Sequence, residues 1–185
     1  MESLIERNAL SGLPPIDAAG RLQVTVVADC ARFSLRVGDA GRGAAGQALG
    51  CALPARIGGL DQREGRSALC VGPDEWFLLA PLAEASAIED RFRSVQIPHS
   101  LVDVSHREVG IDVSGPAAAL ALSSACALDP DAIAPGAGTR TIFDKAPIVL
   151  IKYAADRYRI EVWQSFASHV WGLLVEAGRE IALAI

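Results

Sequence analysis

The sequence predicts an α+β fold built from two similar units of strand, helix, hairpin and helix, related by a pseudo-twofold axis. Two observations predict this fold. Short runs of β-branched and alternating apolar residues, typical of strands, are interspersed with segments of helical periodicity. The order of these segments in the first half of the chain recurs in the second. We therefore expect one domain with units at about residues 21–98 and 99–185, after an N-terminal arm of residues 1–20.

The first unit contains four predicted strands and two predicted helices. The strands are expected at residues 22–28, 33–37, 67–71 and 75–80, and the helices at residues 39–49 and 82–94. Asp39 is placed to cap the first helix, and Gly50 can adopt the left-handed conformation that ends it. Residues 54–65 are predicted to form a loop. The arm is expected to be loose, because prolines and glycines interrupt any periodicity in it.

The second unit repeats this arrangement. Its strands are expected at residues 101–104, 109–113, 140–143, 148–153 and 158–163, and its helices at residues 115–126 and 166–183. Pro116 suits the first turn of a helix, where its missing N–H has no partner to lose. Prolines and glycines between residues 129 and 138 predict a loop.

Short matches between the halves support the duplication. The segment Val37-Gly38-Asp39 corresponds to Val113-Ser114-Gly115, and Cys51-Ala52-Leu53-Pro54 corresponds to Cys126-Ala127-Leu128-Asp129-Pro130. The strands that contain Trp76 and Tyr158 each lead into a helix. Two units are too few for a solenoid, so we expect two half-sheets that pack on each other and on the helices.

Composition excludes several function classes. The 185 residues carry a net charge of −5 with acidic and basic residues interspersed, which argues against nucleic-acid binding. The apolar runs are too short to span a bilayer, and the first residues show no secretory signal, so a cytoplasmic protein is expected. The four cysteines and three histidines lack the spacing of metal ligands, so no metal site is predicted.

No catalytic residue is predicted. Residues 41–46 match a glycine-rich nucleotide-binding pattern, but they fall inside a predicted helix rather than before it. Ser105 and His106 are adjacent on an extended segment, where their side chains diverge, so a turn is expected there instead of a nucleophile. Glu161 and Trp163 share one face of a strand, and Trp163, like Trp76, suits either the core or an interface.

Several segments resemble known families. The sequence LVDVSHR (residues 101–107), followed by VSGPAA (residues 113–118), is similar to the start of the folate-binding domain of glycine-cleavage T-proteins. A closer resemblance is to the gamma subunit of heterotetrameric sarcosine oxidase. It rests on VGPDEWFLL (residues 71–79), TRTIFDKA (residues 139–146) and YRIEVWQSFA (residues 158–167). The agreement extends in order over about residues 22–178.

The resemblance implies a T-protein-like fold and a place in a larger enzyme. That enzyme oxidises sarcosine to glycine with oxygen, passes the methylene group to tetrahydrofolate and releases hydrogen peroxide. The resemblance implies that FAD, FMN, NAD, zinc and tetrahydrofolate belong to the partner alpha, beta and delta subunits, and that this chain binds no cofactor. It leaves self-association of the isolated chain open.

The resulting hypothesis is a non-catalytic subunit that acts by docking. Trp76, Trp163 and Trp171 are the candidate interface residues, because tryptophan is enriched at binding hot spots. Asp144 is a weak candidate for folate binding. The alternatives are a stand-alone folate-binding protein related to aminomethyltransferases and a small-molecule sensor or homodimer that reuses the fold.

Overall fold

The computed structural model describes residues 8–183, which form two antiparallel β-sheets and four α-helices. The strands are β1 (Ile16–Asp17), β2 (Gln23–Val26), β3 (Cys30–Val37), β4 (Leu60–Arg63), β5 (Arg66–Gly72), β6 (Glu75–Pro81), β7 (His99–Asp103), β8 (Glu108–Ser114), β9 (Ala137–Phe143), β10 (Ala146–Ala154) and β11 (Arg157–Trp163). The helices are α1 (Arg42–Leu49), α2 (Ala85–Arg93), α3 (Ala118–Ser123) and α4 (Gln164–Leu183). None of the helices within residues 8–183 combines the length and the apolar character needed to cross a membrane.

The elements stack in four layers. One sheet has six strands in the order β1-β2-β8-β11-β10-β9, and the other has five in the order β4-β5-β6-β3-β7. Helices α1 and α2 cover the outer face of the five-stranded sheet, and α3 and α4 cover that of the six-stranded sheet. The inner faces of the sheets pack against each other around a smaller apolar cluster. This arrangement creates an interior layer between two sheets.

Alternation along the strands decides which residues enter each layer. In β3, Phe33 and Leu35 are buried against α1 and α2. Because successive side chains of a strand point to opposite faces, Arg32 and Ser34 are directed toward the other sheet. Each large apolar side chain buried on an outer face contributes roughly 1.5–3 kcal/mol to stability. The outer layers are therefore mainly apolar, with Lys152 as a buried exception, and the layer between the sheets receives most of the other buried charged residues.

The two sheets share one strand order. The order β4-β5-β6-β3-β7 in one sheet corresponds strand for strand to β9-β10-β11-β8-β2 in the other. Every neighbouring pair is antiparallel, and β1 is an additional strand at the edge of the six-stranded sheet. Strand β2 precedes β3 in the chain but joins the sheet of the second half. Strand β7 follows α2 but joins the sheet of the first half. The halves thus exchange one strand each.

Most predicted elements are present. Gly50 has φ 80° at the end of α1, as the sequence predicts for a left-handed helix cap. The hairpin of β5 and β6 and the long final helix also lie where they are expected. Helix α3 is shorter than predicted and begins only at Ala118, because Gly115 has φ 110° and the backbone there is not helical.

Two predictions about irregular segments are wrong. The described part of the arm is not loose, because β1 pairs with β2 and the side chains of Leu10 and Ala18 are buried in the core. The predicted loop at residues 54–65 contains β4, which pairs with β5 at the edge of its sheet. Both strands are short, and β4 is largely polar, so neither shows the apolar alternation that identifies a strand in sequence. Residues 1–7 lie outside the described residues.

Candidate functional site

Buried charge is concentrated between the two sheets. A cavity of about 320 Å³ lies there, and strands of both sheets line it. Its walls include Ser34, Glu75 and Phe77 from the five-stranded sheet and Glu108, Glu161 and Trp163 from the six-stranded sheet. Glu161 and Trp163 face the same side of β11, as their spacing predicts. The cavity is therefore the place where the polar inner faces of the strands converge.

Glu161 joins the two sheets through a buried ion triad. Its carboxylate accepts hydrogen bonds from Arg32 Nε at 2.6 Å and from Arg159 Nε at 2.5 Å. Arg32 and Glu161 are almost completely buried. Burial lowers the pKa of Arg159, but the negative charge of Glu161 and the smaller contributions of Cys30 and Tyr153 together outweigh burial and raise that pKa above its usual value. The triad therefore connects β3 with β11.

A second carboxylate bridges two arginines at the cavity. Glu75 accepts a hydrogen bond from Arg36 Nη2 at 2.9 Å and another from Arg140 Nη2. The hydrogen bond from Arg140 lowers the pKa of Glu75, and the charges of both arginines add to this effect. Glu75 lies on the five-stranded sheet and Arg140 on β9 of the other sheet, so this bridge also spans the interior layer.

A third pair lies beside Trp163. Arg107 Nη2 donates to Glu108 at 3.0 Å, and the Arg107 guanidinium lies 5.5 Å from the centre of the Trp163 ring. Burial raises the pKa of Glu108, and Arg107 counteracts this only in part. Within residues 8–183, no group of three or more acidic, histidine or cysteine residues is arranged to hold a metal ion. The geometry suits pairing of charges across the sheets and display of guanidinium groups to solvent.

The three predicted interface tryptophans lie in different environments. Trp76 is buried in the core of the five-stranded sheet and donates from Nε1 to the carbonyl of Pro54 at 2.9 Å. Trp171 is buried between α4 and the six-stranded sheet. Trp163 is 42% exposed. The structure therefore corrects the choice made from sequence: Trp76 and Trp171 are core residues, and Trp163 is retained as the interface candidate.

Asp144 lies in the turn between β9 and β10 and does not line the cavity. It has φ 52°, and its Oδ2 lies 2.8 Å from Nε2 of His169 on α4. The hydrogen bond with His169 lowers the pKa of Asp144. The structure thus gives Asp144 a local partner on the outer side of the sheet, away from the charged interior.

The other sequence motifs have structural roles. Ser105 occupies the predicted turn, where its Oγ accepts a hydrogen bond from the backbone N–H of Arg32 at 2.9 Å. Its own backbone N–H donates to Asp103. The glycine-rich run at residues 41–46 lies within a short 3-10 turn and α1, as expected. Neither segment forms the strand-to-helix loop that holds a phosphate.

The sequence analysis missed the arginines that hold the cavity together. Arg32, Arg140 and Arg159 lie on the polar face of strands in which polar and apolar residues alternate. A charged residue at such a position usually faces solvent, so the alternation alone does not distinguish an exposed arginine from one covered by a second sheet. Only the second sheet, which covers these faces, buries Arg32 and most of Arg159, while Arg140 stays half-exposed at the edge.

Comparisons of sequence and of structure with known proteins lead to one family, that of the sarcosine oxidase gamma subunit. The sequence model of the sarcosine oxidase gamma subunit family matches residues 37–180. The chain is 30% identical over 177 residues to the sarcosine oxidase subunit gamma of Corynebacterium sp. (strain U-96), covering 91% of this chain and 85% of that protein. A chain in the solved structure of heterotetrameric sarcosine oxidase from Corynebacterium sp. U-96, in complex with pyrrole 2-carboxylate, superposes with a TM-score of 0.85. That match has 25% identity and covers 96% of both chains.

A more distant likeness concerns the fold alone. The glycine cleavage system aminomethyltransferase T from Bartonella henselae superposes with a TM-score of 0.62 at 14% identity. The match covers 85% of this chain and 46% of that protein. The T-protein-like architecture expected from the sequence thus has a structural counterpart of about twice the length.

Proposed function

Because the chain belongs to the sarcosine oxidase gamma subunit family, we propose that it is the gamma subunit of a heterotetrameric sarcosine oxidase and acts by binding the other subunits. The observation that carries this proposal is the match over 96% of both chains to a chain of such a heterotetramer. The partners are then the alpha, beta and delta subunits. The site of action is the cytoplasm.

We propose that the catalysis belongs to the partners. In the complete enzyme, sarcosine, tetrahydrofolate and oxygen become glycine, methylene-tetrahydrofolate and hydrogen peroxide, and FAD, FMN, NAD, zinc and tetrahydrofolate bind the partner subunits. The state of the interior carboxylates supports this division. Glu75 and Glu161 each accept hydrogen bonds from two guanidinium groups, one on each carboxylate oxygen, and Glu108 is paired with Arg107, so these carboxylates hold charge partners in place of a substrate proton. Their arrangement favours a scaffold role.

We also propose that the chain arose from two copies of one unit. The identical strand order of the two sheets supports this, as do the equivalent positions of α1 and α3 after β3 and β8. The exchange of β2 and β7 is symmetric, as expected when two copies pack around a pseudo-twofold axis. Superposition of residues 21–98 on residues 99–183 tests the duplication, and an unrelated path of the two backbones would refute it.

Co-expression with the three other subunits tests the main proposal. A tag on this chain should recover four chains in equal amounts together with sarcosine oxidase activity. The chain expressed alone should not oxidise sarcosine. Activity of the isolated chain, or the absence of all three partners from the purified material, would contradict the proposal. Micromolar binding of tetrahydrofolate to the isolated chain, measured by titration calorimetry, would favour the stand-alone folate-binding alternative instead.

A further inference from the structure

An exposed apolar row lies at one end of the cavity between the sheets. Ile142 pairs with Pro147 across β9 and β10, and both are exposed. Ile148 pairs with Val162, so Pro147 and Trp163 come next along neighbouring strands. By alternation, the three side chains are on the inner face of the six-stranded sheet, like the cavity itself. This end of the inner face thus presents apolar side chains to solvent.

Arginines border the row. We define the cleft rim as the three exposed apolar residues and the three arginines beside them, namely Arg36, Arg107, Arg140, Ile142, Pro147 and Trp163. The arginine side chains are 46–58% exposed, whereas the side chains of their glutamate partners are only 5–11% exposed. The positive charge therefore faces solvent while the negative charge that balances it is interior.

The charges of the network do not cancel. Five arginines share the carboxylates of three glutamates, Glu75, Glu108 and Glu161. One further acid, Asp74, binds Arg36 from the solvent side at 3.1 Å. An excess of one positive charge remains in a chain whose net charge is −5. A local cationic and aromatic surface on an acidic protein attracts an acidic partner.

We propose that the cleft rim is a docking surface for an acidic segment of a partner subunit in the oxidase. A carboxylate of that segment is held by Arg107 and Arg140, whose guanidinium groups keep donors free of their glutamates. An apolar side chain of the segment packs on Trp163 and its neighbours. Arginine forks bind carboxylates in this way, and tryptophan and arginine are the residues enriched at binding hot spots. The inference rests on the function proposed above.

A matched pair of substitutions at Ile142 tests the charge of the partner. Ile142 is 47% exposed and makes no bond in the ion network, so its replacement leaves the network intact. Ile142→Glu and Ile142→Lys lose the same apolar contact but add opposite charges. The measurement is the affinity of each variant for the complex of the other three subunits. Ile142→Glu should weaken this binding at least about tenfold more than Ile142→Lys does. Trp163→Ala should weaken binding by about tenfold or more.

Controls separate this inference from the proposed function. Leu120→Glu changes an exposed apolar residue on α3, in the outer layer, and should bind as the unsubstituted chain does. Thermal unfolding of each variant alone should match the unsubstituted chain. If the unsubstituted chain does not join the complex, the proposed function is wrong. If the unsubstituted chain joins the complex and the variants at Ile142 and Trp163 bind as tightly as it does, only the proposed docking surface is wrong.

Other results would also overturn the inference. Equal weakening by Ile142→Glu and Ile142→Lys would mean that the contact is apolar without an acidic partner. Stronger weakening by Ile142→Lys would mean that the partner is basic. A second copy of this chain would be the occupant if the isolated chain dimerised in sedimentation experiments and Ile142→Glu dissociated the dimer.

Discussion

The layers between helices and sheets differ from the layer between the two sheets. The outer layers are packed with apolar side chains such as Phe33 and Leu174, whereas the inner layer contains the buried charges of Arg32, Glu75, Glu108 and Glu161 beside a small apolar cluster. The burial of an apolar side chain stabilises the fold wherever the side chain is removed from water, because the hydrophobic effect has no preferred direction. Buried ion pairs require particular partners at particular distances. The outer layers therefore supply stability, while the inner layer determines how one sheet sits on the other.

The largest effect is expected from Glu161→Ala. Without this carboxylate, the guanidinium groups of Arg32 and Arg159 remain between the sheets uncompensated, so the free energy of unfolding should fall by about 4 kcal/mol. Urea unfolding measures the loss. Glu176→Ala is the matched control, because Glu176 binds Arg179 on the exposed side of α4 and should cost about 0.5 kcal/mol or less. Equal losses for the two variants would contradict a special role of the inner layer.

A smaller loss is expected in the outer layer. Leu174 is completely buried between α4 and the six-stranded sheet, so Leu174→Ala should lower the free energy of unfolding by about 3 kcal/mol through lost burial and a cavity. The neighbouring Leu173 is only partly buried, and Leu173→Ala should cost about 1 kcal/mol. Thermal unfolding of both variants provides the comparison. A larger loss in the free energy of unfolding for Leu174→Ala than for Glu161→Ala would contradict the expectation that removing a buried charge partner from the inner layer costs more than opening a cavity in an outer layer.

The smallest of the three effects is expected from Glu75→Gln, and it depends on pH. Arg140 and Arg36 lower the pKa of Glu75 in the folded state, so the carboxylate stabilises the fold above its ordinary pKa of about 4.3. The substitution should cost about 1–2 kcal/mol at pH 7. Below the ordinary pKa the difference should shrink, and it should vanish once the pH falls through the lowered value. A difference that stays constant between pH 7 and pH 3 would contradict this origin.

The sequence predicts the outer layers better than the inner one. Local periodicity reveals β3 and α4, because their apolar residues recur at the spacing of a strand or a helix, and a short continuous apolar run reveals β6. The bond between Arg32 and Glu161 joins residues 129 positions apart, and no local pattern contains that information. The burial of Trp76 and Trp171 and the exposure of Trp163 likewise depend on which faces the tertiary structure covers.

The exchange of β2 and β7 between the sheets has a consequence for folding. Neither sheet can be completed by its own half of the chain, because each takes one strand from the other half. A cut between the halves should therefore release no stable fragment, and the domain should denature in a single cooperative transition. Pairing strands that are distant in sequence also costs loop entropy before any contact compensates it, so the chain is expected to fold slowly for its size.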